Sequence, residues 1–435
     1  MLVETKLQYI AEKAREDSAP IFTNLYHVLN VDLFRLCFNE LRGNAAVGID
    51  KVTKAQYEVH LEQNLQNLAD RVQRMGYKPL PVRRIYIPKV GSSKMRPLGI
   101  PALEDKIVQL GLVKLLQGIY EEDFIDNSYG FRPGRSCHDA LRELNRVVES
   151  QQTNYIVEAD IKGFFDNVEH EWMIKFMEHR IKDSRVLRLI NRFLKAGVME
   201  DGVLSVSEKG TPQGGIISPL LANIYLHYAL DIWFENRYKR ISCRGAASII
   251  RYADDFVVCF KYEDDARHFE EALGNRLAEF GLEVEPSKTK TLAFGPIALA
   301  KAKREGTKPE TFDFLGFTHY CSISRKGGRF RMKRKTSRKK FKAKIKAFKE
   351  WLKSARTLPT KDIMRLTKAK LTGHFAYYGI TDNYEGIASF ARKAERLLYK
   401  WLNRRGRRKS MNWEKLSQLL TRNAFPTPRI KVSIY

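Results

Sequence analysis

Apolar residues occur along this chain with two different spacings, and each spacing predicts a different kind of element. Apolar runs at 155–160 and 248–262 are rich in Val, Ile and Phe and predict strands. The first run ends in an acid, and the second contains two strands joined by a tight turn at 253–255. Between them, the stretch from Trp172 to Leu194 and the long apolar segment 216–234 have helical spacing. Strands separated by helices indicate an α+β sheet with helices on one face.

The first 150 residues contain further predicted elements. Residues 1–25 have the pattern of one amphipathic helix. Residues 83–101 form two arms around a Gly-Ser-Ser turn and predict a hairpin. From about 100 to 150 the apolar spacing is helical, and the loop NSYGFRPGRS at 127–136 interrupts it.

Past residue 325 the pattern is purely helical, and it predicts a small three-helix bundle. Three apolar stripes support this prediction, and their residues are Phe341, Ile345, Phe348 and Leu352; Leu371, Phe375 and Tyr378; and Ile387, Phe390, Ala394, Leu397 and Trp401.

Composition excludes several classes of protein. No apolar run approaches the roughly 20 residues that span a bilayer, so no membrane partner is expected. The N-terminal residues alternate charged and apolar side chains and lack the apolar core of a signal peptide, which predicts that the protein stays in the cytosol. The five cysteines are far apart and form no CxxC pair, which favours reduced thiols over disulfides or a zinc site.

The positive charge is concentrated in the last quarter of the chain. Lys and Arg number 44 against 44 Asp and Glu over residues 1–324, but 33 against 6 over residues 325–435. A basic region of this kind favours a polyanion, because each neutralised phosphate releases condensed counterions. Nucleic acid is the leading interpretation, and a solvated basic face or a membrane-surface patch is the alternative.

Asp160 and the pair Asp254-Asp255 each stand where a predicted strand ends, so their side chains can converge outside a core. An adjacent acid pair is more often a solvated turn. Here, however, apolar strands flank the pair on both sides, so the two carboxylates repel one another unless a bound cation neutralises them. Two divalent cations are a common solution for in-line attack at phosphorus, and Mg²⁺ prefers such oxygen ligands. The residues therefore predict a phosphoryl-transfer site.

Blocks of the sequence resemble, in order, those of group II intron reverse transcriptases. Five blocks between residues 87 and 255 carry the resemblance, and they are IPKVGSSKMRPLGIP, SYGFRPGRS, DIKGFFD, TPQGGIISPLLANIYL and YADD. GLEVEPSKTKT and FDFLGF resemble the next two blocks, and the Arg/Lys-rich helices with GHFAYYG resemble the thumb and maturase region. The chain resembles bacterial members without an endonuclease domain, because the sequence stops at Tyr435, soon after those helices.

The resemblance implies a right-hand polymerase fold, with fingers and a palm built on an antiparallel sheet and an all-α basic thumb/maturase domain. The implied divisions are an N-terminal extension helix at 1–25, fingers at 26–150, the palm with its carboxylates at 151–310, and the strongly basic thumb/maturase (X) domain at 311–435.

The resemblance also assigns the catalytic residues. The carboxylates that match the catalytic and metal-binding set are Asp160, Asp254 and Asp255. The backbone carbonyl of Ile161 matches a further metal ligand, and two Mg²⁺ ions are implied, with Mn²⁺ as a substitute. Phe165 matches the ring under the sugar, where it would exclude a 2′-hydroxyl, and Gln213 matches the glutamine of the nucleotide pocket.

Basic residues of the implied nucleotide site have neighbours that could take their place. Lys89 and Arg96 match the residues that grip the triphosphate, and Lys94 is an alternative to Arg96 because the spacing is one residue longer than expected. Lys288 matches a lysine placed to protonate the departing pyrophosphate, and Lys290 is close enough in sequence to compete.

Further basic residues are expected to contact the template and primer, and they are Arg132, Arg135, Lys333, Arg334, Lys335, Arg338, Lys339 and Lys340. The resemblance thus implies an RNA-directed DNA polymerase that uses an RNA template, a DNA or RNA primer and deoxynucleoside triphosphates. It also implies help in splicing and mobility of its own intron RNA. The alternatives are a maturase that acts mainly as a splicing chaperone, and a reverse transcriptase recruited to host DNA repair or defence.

Overall fold

The computed structural model describes residues 3–16, 20–88, 95–150, 153–206, 208–211, 214–324, 327–405 and 411–435. Its α-helices are α1 Val3–Ala14, α2 Val31–Glu40, α3 Lys54–Glu58, α4 Leu61–Gln73, α5 Leu103–Tyr120, α6 Cys137–Ser150, α7 Phe164–Asn167, α8 His170–Glu178, α9 Ser184–Leu194, α10 Ser218–Leu226, α11 Glu263–Ala278, α12 Pro296–Glu305, α13 Arg338–Ala355, α14 Thr360–Tyr378, α15 Tyr384–Leu402 and α16 Trp413–Arg422. Its strands are β1 Val82–Pro88, β2 Met95–Ile100, β3 Tyr155–Asp160, β4 Val198–Glu200, β5 Val203–Ser205, β6 Ala247–Tyr252, β7 Asp255–Phe260, β8 Lys290–Ala293, β9 Thr311–Phe314, β10 Phe317–Ile323 and β11 Phe330–Thr336.

The central sheet contains four antiparallel strands in the order β6-β7-β3-β8. It confirms the strands predicted at 155–160 and 248–262, and Ala253 and Asp254 form the turn between β6 and β7. Along β3 and β7 the register places Asp160 opposite Asp255. The sheet therefore brings together acids that are almost one hundred residues apart in sequence.

The central sheet is buried on both faces, so the prediction of helices on one face is wrong. Val157 and Val258 belong to a core shared with α10 and α11, while Ile156 and Val257 belong to a second core shared with α6 and the C-terminal helices. Successive residues of these strands are apolar, which is the pattern of a strand covered on both sides.

The long apolar helix predicted after the Gly-Gly pair is confirmed. Helix α10 continues through two wider, π-type segments, His227–Asp231 and Trp233–Ser242. Segments with π-type hydrogen bonding are rare and are frequent at functional sites. No helix in the described part of the chain is both long and apolar enough to cross a lipid bilayer.

A second sheet, in the order β2-β1-β4-β5, contains the predicted hairpin. Strands β1 and β2 pair antiparallel from Arg83 and Ile100 to Pro88 and Met95. The predicted Gly-Ser-Ser turn of the hairpin lies outside the described residues.

The expectation of an all-α region from residue 311 is wrong at its start. Strands β9, β10 and β11 form a third antiparallel sheet, which places Phe330–Thr336 in a strand rather than a helix. Met332, Arg334 and Thr336 are buried at alternate positions, and this period of two is that of a strand. The three helices predicted beyond it are confirmed as α13, α14 and α15.

The N-terminal helix of the structure is shorter than the helix predicted at 1–25. Helix α1 ends at Ala14, and Phe22 pairs instead with Ile181 through a parallel bridge. The N–H of Phe22 donates to the Arg180 carbonyl over 2.8 Å, so this segment pairs with another part of the chain instead of continuing the helix.

The ring of Phe269 on α11 holds the helices against the central sheet. It is fully buried, and its centroid lies 5.1 Å from that of Tyr238 and 5.4 Å from that of Phe260. We predict that Phe269→Ala lowers the free energy of unfolding by about 3–5 kcal/mol, because it leaves a cavity among aromatic rings. Urea denaturation measures the change, and the exposed neighbour His268→Ala should change the stability little. Equal stabilities for the two variants would contradict the prediction.

Candidate active site

The three predicted carboxylates lie at one end of the central sheet. Asp160 ends β3, Asp255 begins β7 directly opposite, and Asp254 lies in the adjoining turn. The turn places Ala253 at a φ of 58°, in the left-handed region that non-glycine residues rarely occupy.

The pKa values of Asp254 and Asp255 are both raised. Burial, followed by the charges of Asp254 and Asp160, raises the pKa of Asp255 to about 7. Burial also raises the pKa of Asp254, and the charge of Asp160 adds to this effect. The side chain of Asp255 nevertheless reaches solvent, so we interpret the site as the floor of an open cleft lined by protein on its sides.

Crowded carboxylates with raised pKa values are a donor set that a divalent cation would stabilise, because the cation replaces protons in offsetting the repulsion. In the described part of the chain, however, no group of three or more His, Cys, Asp or Glu side chains is arranged to hold a metal ion by itself. Mg²⁺ usually takes only one or two carboxylates and completes its shell with water and substrate phosphates. The residues therefore fit an ion that binds together with a substrate.

Lys288, rather than Lys290, lies beside the acids. The ammonium group of Lys288 contacts the Oδ2 atom of Asp160, and this hydrogen bond raises the pKa of Lys288. Lys290 lies opposite Glu158 in the sheet, and its Nζ atom is 3.4 Å from Glu158 Oε2. The geometry thus favours Lys288 in the choice that the sequence left open.

Phe165 lies in α7, five residues after Asp160. Its ring is half-buried and packs edge-on against the buried Phe164, with 5.3 Å between the centroids. The backbone N–H of Thr211 donates to the Phe165 carbonyl over 2.8 Å. The loop that contains the predicted glutamine therefore begins against Phe165.

The same loop resumes against the second sheet. Gln213 lies outside the described residues, but Gly214 follows it with a φ of 112°. A Cβ atom at position 214 would lie 2.3 Å from the carbonyl oxygen of Gly99 on β2. Only glycine fits such a close approach, so Gly214 is held against β2.

Arg96 is the described member of the predicted triphosphate grip. It is exposed on β2 opposite Ile87. Its positive charge lowers the pKa of Asp254 and so offsets part of the increase that burial causes. Arg96 therefore faces the acids. Lys89 and Lys94 lie outside the described residues.

Two of the residues predicted to contact nucleic acid are buried. Arg334 is fully buried, and one of its guanidinium nitrogens hydrogen-bonds to Asn145. Arg132 is buried as well, and it donates to the carboxylate of Glu121 over 2.9 Å. Both predictions are wrong for this structure, because these side chains are enclosed in the protein interior.

The remaining basic residues of the prediction are accessible to different degrees. Arg135 is partly exposed and pairs with Asp126 at 3.1 Å, and Lys333 is half-buried. The exposed residues, which lie on β11 and at the start of α13, are Lys335, Arg338, Lys339 and Lys340. These four residues are the basic patch of the site. The positive charge of Lys340 lowers the pKa of Asp255 and offsets part of the increase that burial causes. This effect indicates that the patch lies near the acids.

Three buried polar residues behind the acids were not predicted. Arg251 on β6, Asp231 in the π-type segment and Asn223 on α10 are all fully buried, and Arg251 donates hydrogen bonds to the other two. The sequence contained a signal for two of them, because a charged residue inside an otherwise apolar run requires a buried partner.

Comparisons with known proteins agree with this geometry. Residues 87–319 match the family described as "Reverse transcriptase (RNA-dependent DNA polymerase)", and residues 338–419 match "Group II intron, maturase-specific domain". The chain is 41% identical over 222 residues to the group II intron-encoded protein LtrA of Lactococcus lactis subsp. cremoris, which covers 51% of this chain and 37% of that protein. It is 38% identical over 247 residues to protein YkfC of Escherichia coli (strain K12), which covers 51% of this chain and 65% of YkfC. The match thus spans less than two thirds of either relative.

The crowding of the acids leads to a prediction about metal binding. Mg²⁺ should raise the melting temperature of the wild type by a few degrees, because it binds the folded acids and not the unfolded chain. Asp255→Asn should be more stable than the wild type in EDTA, since one repelling charge is gone, and should respond less to Mg²⁺. Thermal melts with and without Mg²⁺ measure both effects. Asp70→Asn, which alters an exposed acid on α4, should behave as the wild type, and an identical response of the Asp255 variant would contradict the prediction.

Proposed function

The chain belongs to the reverse transcriptase (RNA-dependent DNA polymerase) family, whose profile matches more than half of it, and on this premise we propose that it extends a primer along an RNA template with deoxynucleotides. The observation that carries the proposal is the register of the central sheet, which sets Asp160 opposite Asp255 and beside Asp254. The geometry fits a nucleotidyl transfer, since three carboxylates converge at the open end of a sheet.

We propose that Asp160, Asp254 and Asp255, with the carbonyl of Ile161, hold two Mg²⁺ ions, for which Mn²⁺ can substitute. When bound, such ions lower the pKa of an attacking hydroxyl and stabilise the charge on a leaving pyrophosphate. Ile161 follows Asp160 directly, and its bridge to Val284 fixes the backbone at this position, which supports the proposal.

The side chains around the acids have separate roles in this proposal. Arg96 binds the triphosphate with its guanidinium fork, together with Lys89. Phe165 lies under the sugar and excludes a 2′-hydroxyl, and Gln213 lines the nucleotide pocket. Lys288, which rests on Asp160, moves to the leaving pyrophosphate and protonates it as the bond to phosphorus breaks.

We propose that the basic region from residue 311 binds the template and primer, and that the domain divisions are those expected from the sequence. The match to the maturase-specific domain at 338–419 favours a second role, in which the protein binds its own intron RNA and assists splicing and mobility. A protein that served only as a splicing chaperone would not need the three carboxylates, and their retention beside Phe165 supports catalysis. A recruited host enzyme would use the same site on other RNAs.

The polymerase proposal is tested by primer extension on an RNA template with Mg²⁺. The wild type should incorporate deoxynucleotides in preference to ribonucleotides. Asp254→Asn should extend at less than ~0.1% of the wild-type rate, a loss of more than ~4 kcal/mol of transition-state stabilisation. Its affinity for the RNA, measured by filter binding, should be unchanged, because the basic patch is intact. Substantial extension by this variant would overturn the site assignment.

The role of the basic patch is tested by the salt dependence of RNA binding. Replacing Lys335, Arg338, Lys339 and Lys340 together by Gln should weaken RNA binding. The slope of log affinity against log salt concentration should become shallower by up to ~3, because each phosphate contact contributes about 0.7–0.9 to that slope. A matched control removes the same charge from exposed residues elsewhere, namely Lys301, Lys303, Arg304 and Lys308. Equal slopes for the two variants would place the RNA on another surface.

A further inference from the structure

The turn that carries the acids rests on a buried hydrogen-bond network. Arg251 ends in a guanidinium group that contacts both carboxylate oxygens of Asp231, one of them at 2.7 Å. Its Nη1 atom also donates to Asn223 Oδ1 over 3.1 Å and to the carbonyl of Ala253 over 3.0 Å. The network thus reaches the backbone of the residue that precedes Asp254.

Asn223 extends the network to the loop that covers the turn from the other side. Its Nδ2 atom donates to the carbonyl of Gly130 over 2.6 Å. A Cβ atom at Gly130 would lie 2.3 Å from the backbone nitrogen of Ala253, so the two backbones are in close contact. The loop also pairs with β6, because the N–H of Tyr129 donates to the Arg251 carbonyl over 2.8 Å. Ala253 is therefore held between Gly130 and the guanidinium group.

The network surrounds a residue with an unfavourable backbone conformation. Ala253 has a left-handed φ, which is unfavourable for a residue with a Cβ atom and persists only where the surroundings enforce it. If Ala253 relaxed toward an ordinary β conformation, the peptide that it shares with Asp254 would rotate. The carboxylates of Asp254 and Asp255 would then no longer point toward Asp160.

A purely stabilising role does not explain this arrangement well. Replacing a buried ion pair with apolar residues of similar volume is often neutral or stabilising, so such a pair is weak evidence for a contribution to stability. Asp231 also lies within the π-type segment and contacts Arg251 of β6. One hydrogen bond of Arg251 ends on a backbone carbonyl of the turn, which an apolar replacement could not provide.

We propose that Arg251, held by Asp231 and Asn223, is a positioning residue that fixes the left-handed turn at Ala253 and so aims Asp254 and Asp255 at the metal-binding face. This inference rests on the proposed polymerase function. Arg251 does not touch substrate, and it acts through the backbone of the turn.

Two variants test the proposal. Arg251→Lys keeps a positive charge beside Asp231, but an ammonium group cannot contact Asp231, Asn223 and the Ala253 carbonyl in the same planar geometry. Asn223→Ala leaves the ion pair intact and removes the link to Gly130, so it provides a test even if the first variant folds poorly. The matched control is Arg180→Lys, because Arg180 is also buried and paired with an acid, Asp123, but does not contact the turn.

Steady-state primer extension on an RNA template measures kcat and KM for each variant. For both test variants we expect kcat to fall about 10- to 100-fold and the half-saturating Mg²⁺ concentration to rise, as is typical when residues that orient metal ligands are lost. The KM for deoxynucleotides should stay within about twofold of the wild type, because the triphosphate grip is unchanged. Arg180→Lys should lower the melting temperature without changing the Mg²⁺ requirement.

The outcomes distinguish this inference from the function on which it rests. A wild type that does not synthesise DNA would overturn the proposed function. An active wild type together with Asn223→Ala and Arg251→Lys variants of unchanged kcat and Mg²⁺ requirement would overturn the positioning role alone. A Mg²⁺ requirement that rises equally in Arg180→Lys would also overturn it, because the effect would then come from general destabilisation.

Discussion

Electrostatic repulsion among three carboxylates is the constraint on which the rest of this structure depends. Asp160 and Asp255 are cross-strand neighbours, and Asp254 is the residue before Asp255, so the register of the sheet keeps the three charges close together. Burial and this proximity raise the pKa of Asp255 to about 7. Folding therefore maintains a charge arrangement that is unfavourable by itself and that a cation and a phosphate substrate would stabilise. Lys288 offsets part of the charge through its contact with Asp160.

The central sheet can hold these charges because it is covered on both faces. One face belongs to a core with α10 and α11, and the other belongs to a core that extends through α6 into the C-terminal helices. The side chains of Phe312, Phe314 and Met332, at the start of the basic region, share that second core with Ile156 and Val257. The basic patch is thus attached to the sheet that carries the acids through continuous packing, and Lys340 is close enough to affect Asp255.

Burial also decides which basic residues remain available for a polyanion. In the run from Lys333 to Lys340, the strand conformation of β11 turns Arg334 inward to Asn145 and leaves Lys335 exposed. The excess of Lys and Arg describes the region as a whole. Within β11, alternate residues point to the interior and to the surface, so neighbouring basic residues differ in exposure. Arg132 and Arg135 differ for a related reason, since Arg132 is enclosed by Glu121 and two backbone carbonyls.

The sequence by itself determined the strands that end at Asp160 and meet at Asp254, the hairpin arms around residues 83–101 and the three C-terminal helices, because local spacing of apolar residues fixes each of these elements. It also indicated the family, since ordered motifs survive in the linear chain. Only the tertiary structure decided that both faces of the sheet are covered, that Lys288 rather than Lys290 lies beside Asp160, and that Arg334 is buried. The same holds for the hydrogen bonds of Arg251 to Asp231 and Asn223 and of Asn223 to Gly130, which require a helix, a strand and a loop to meet. Such partners are set by packing between distant segments, and local spacing contains no information about which segments will meet.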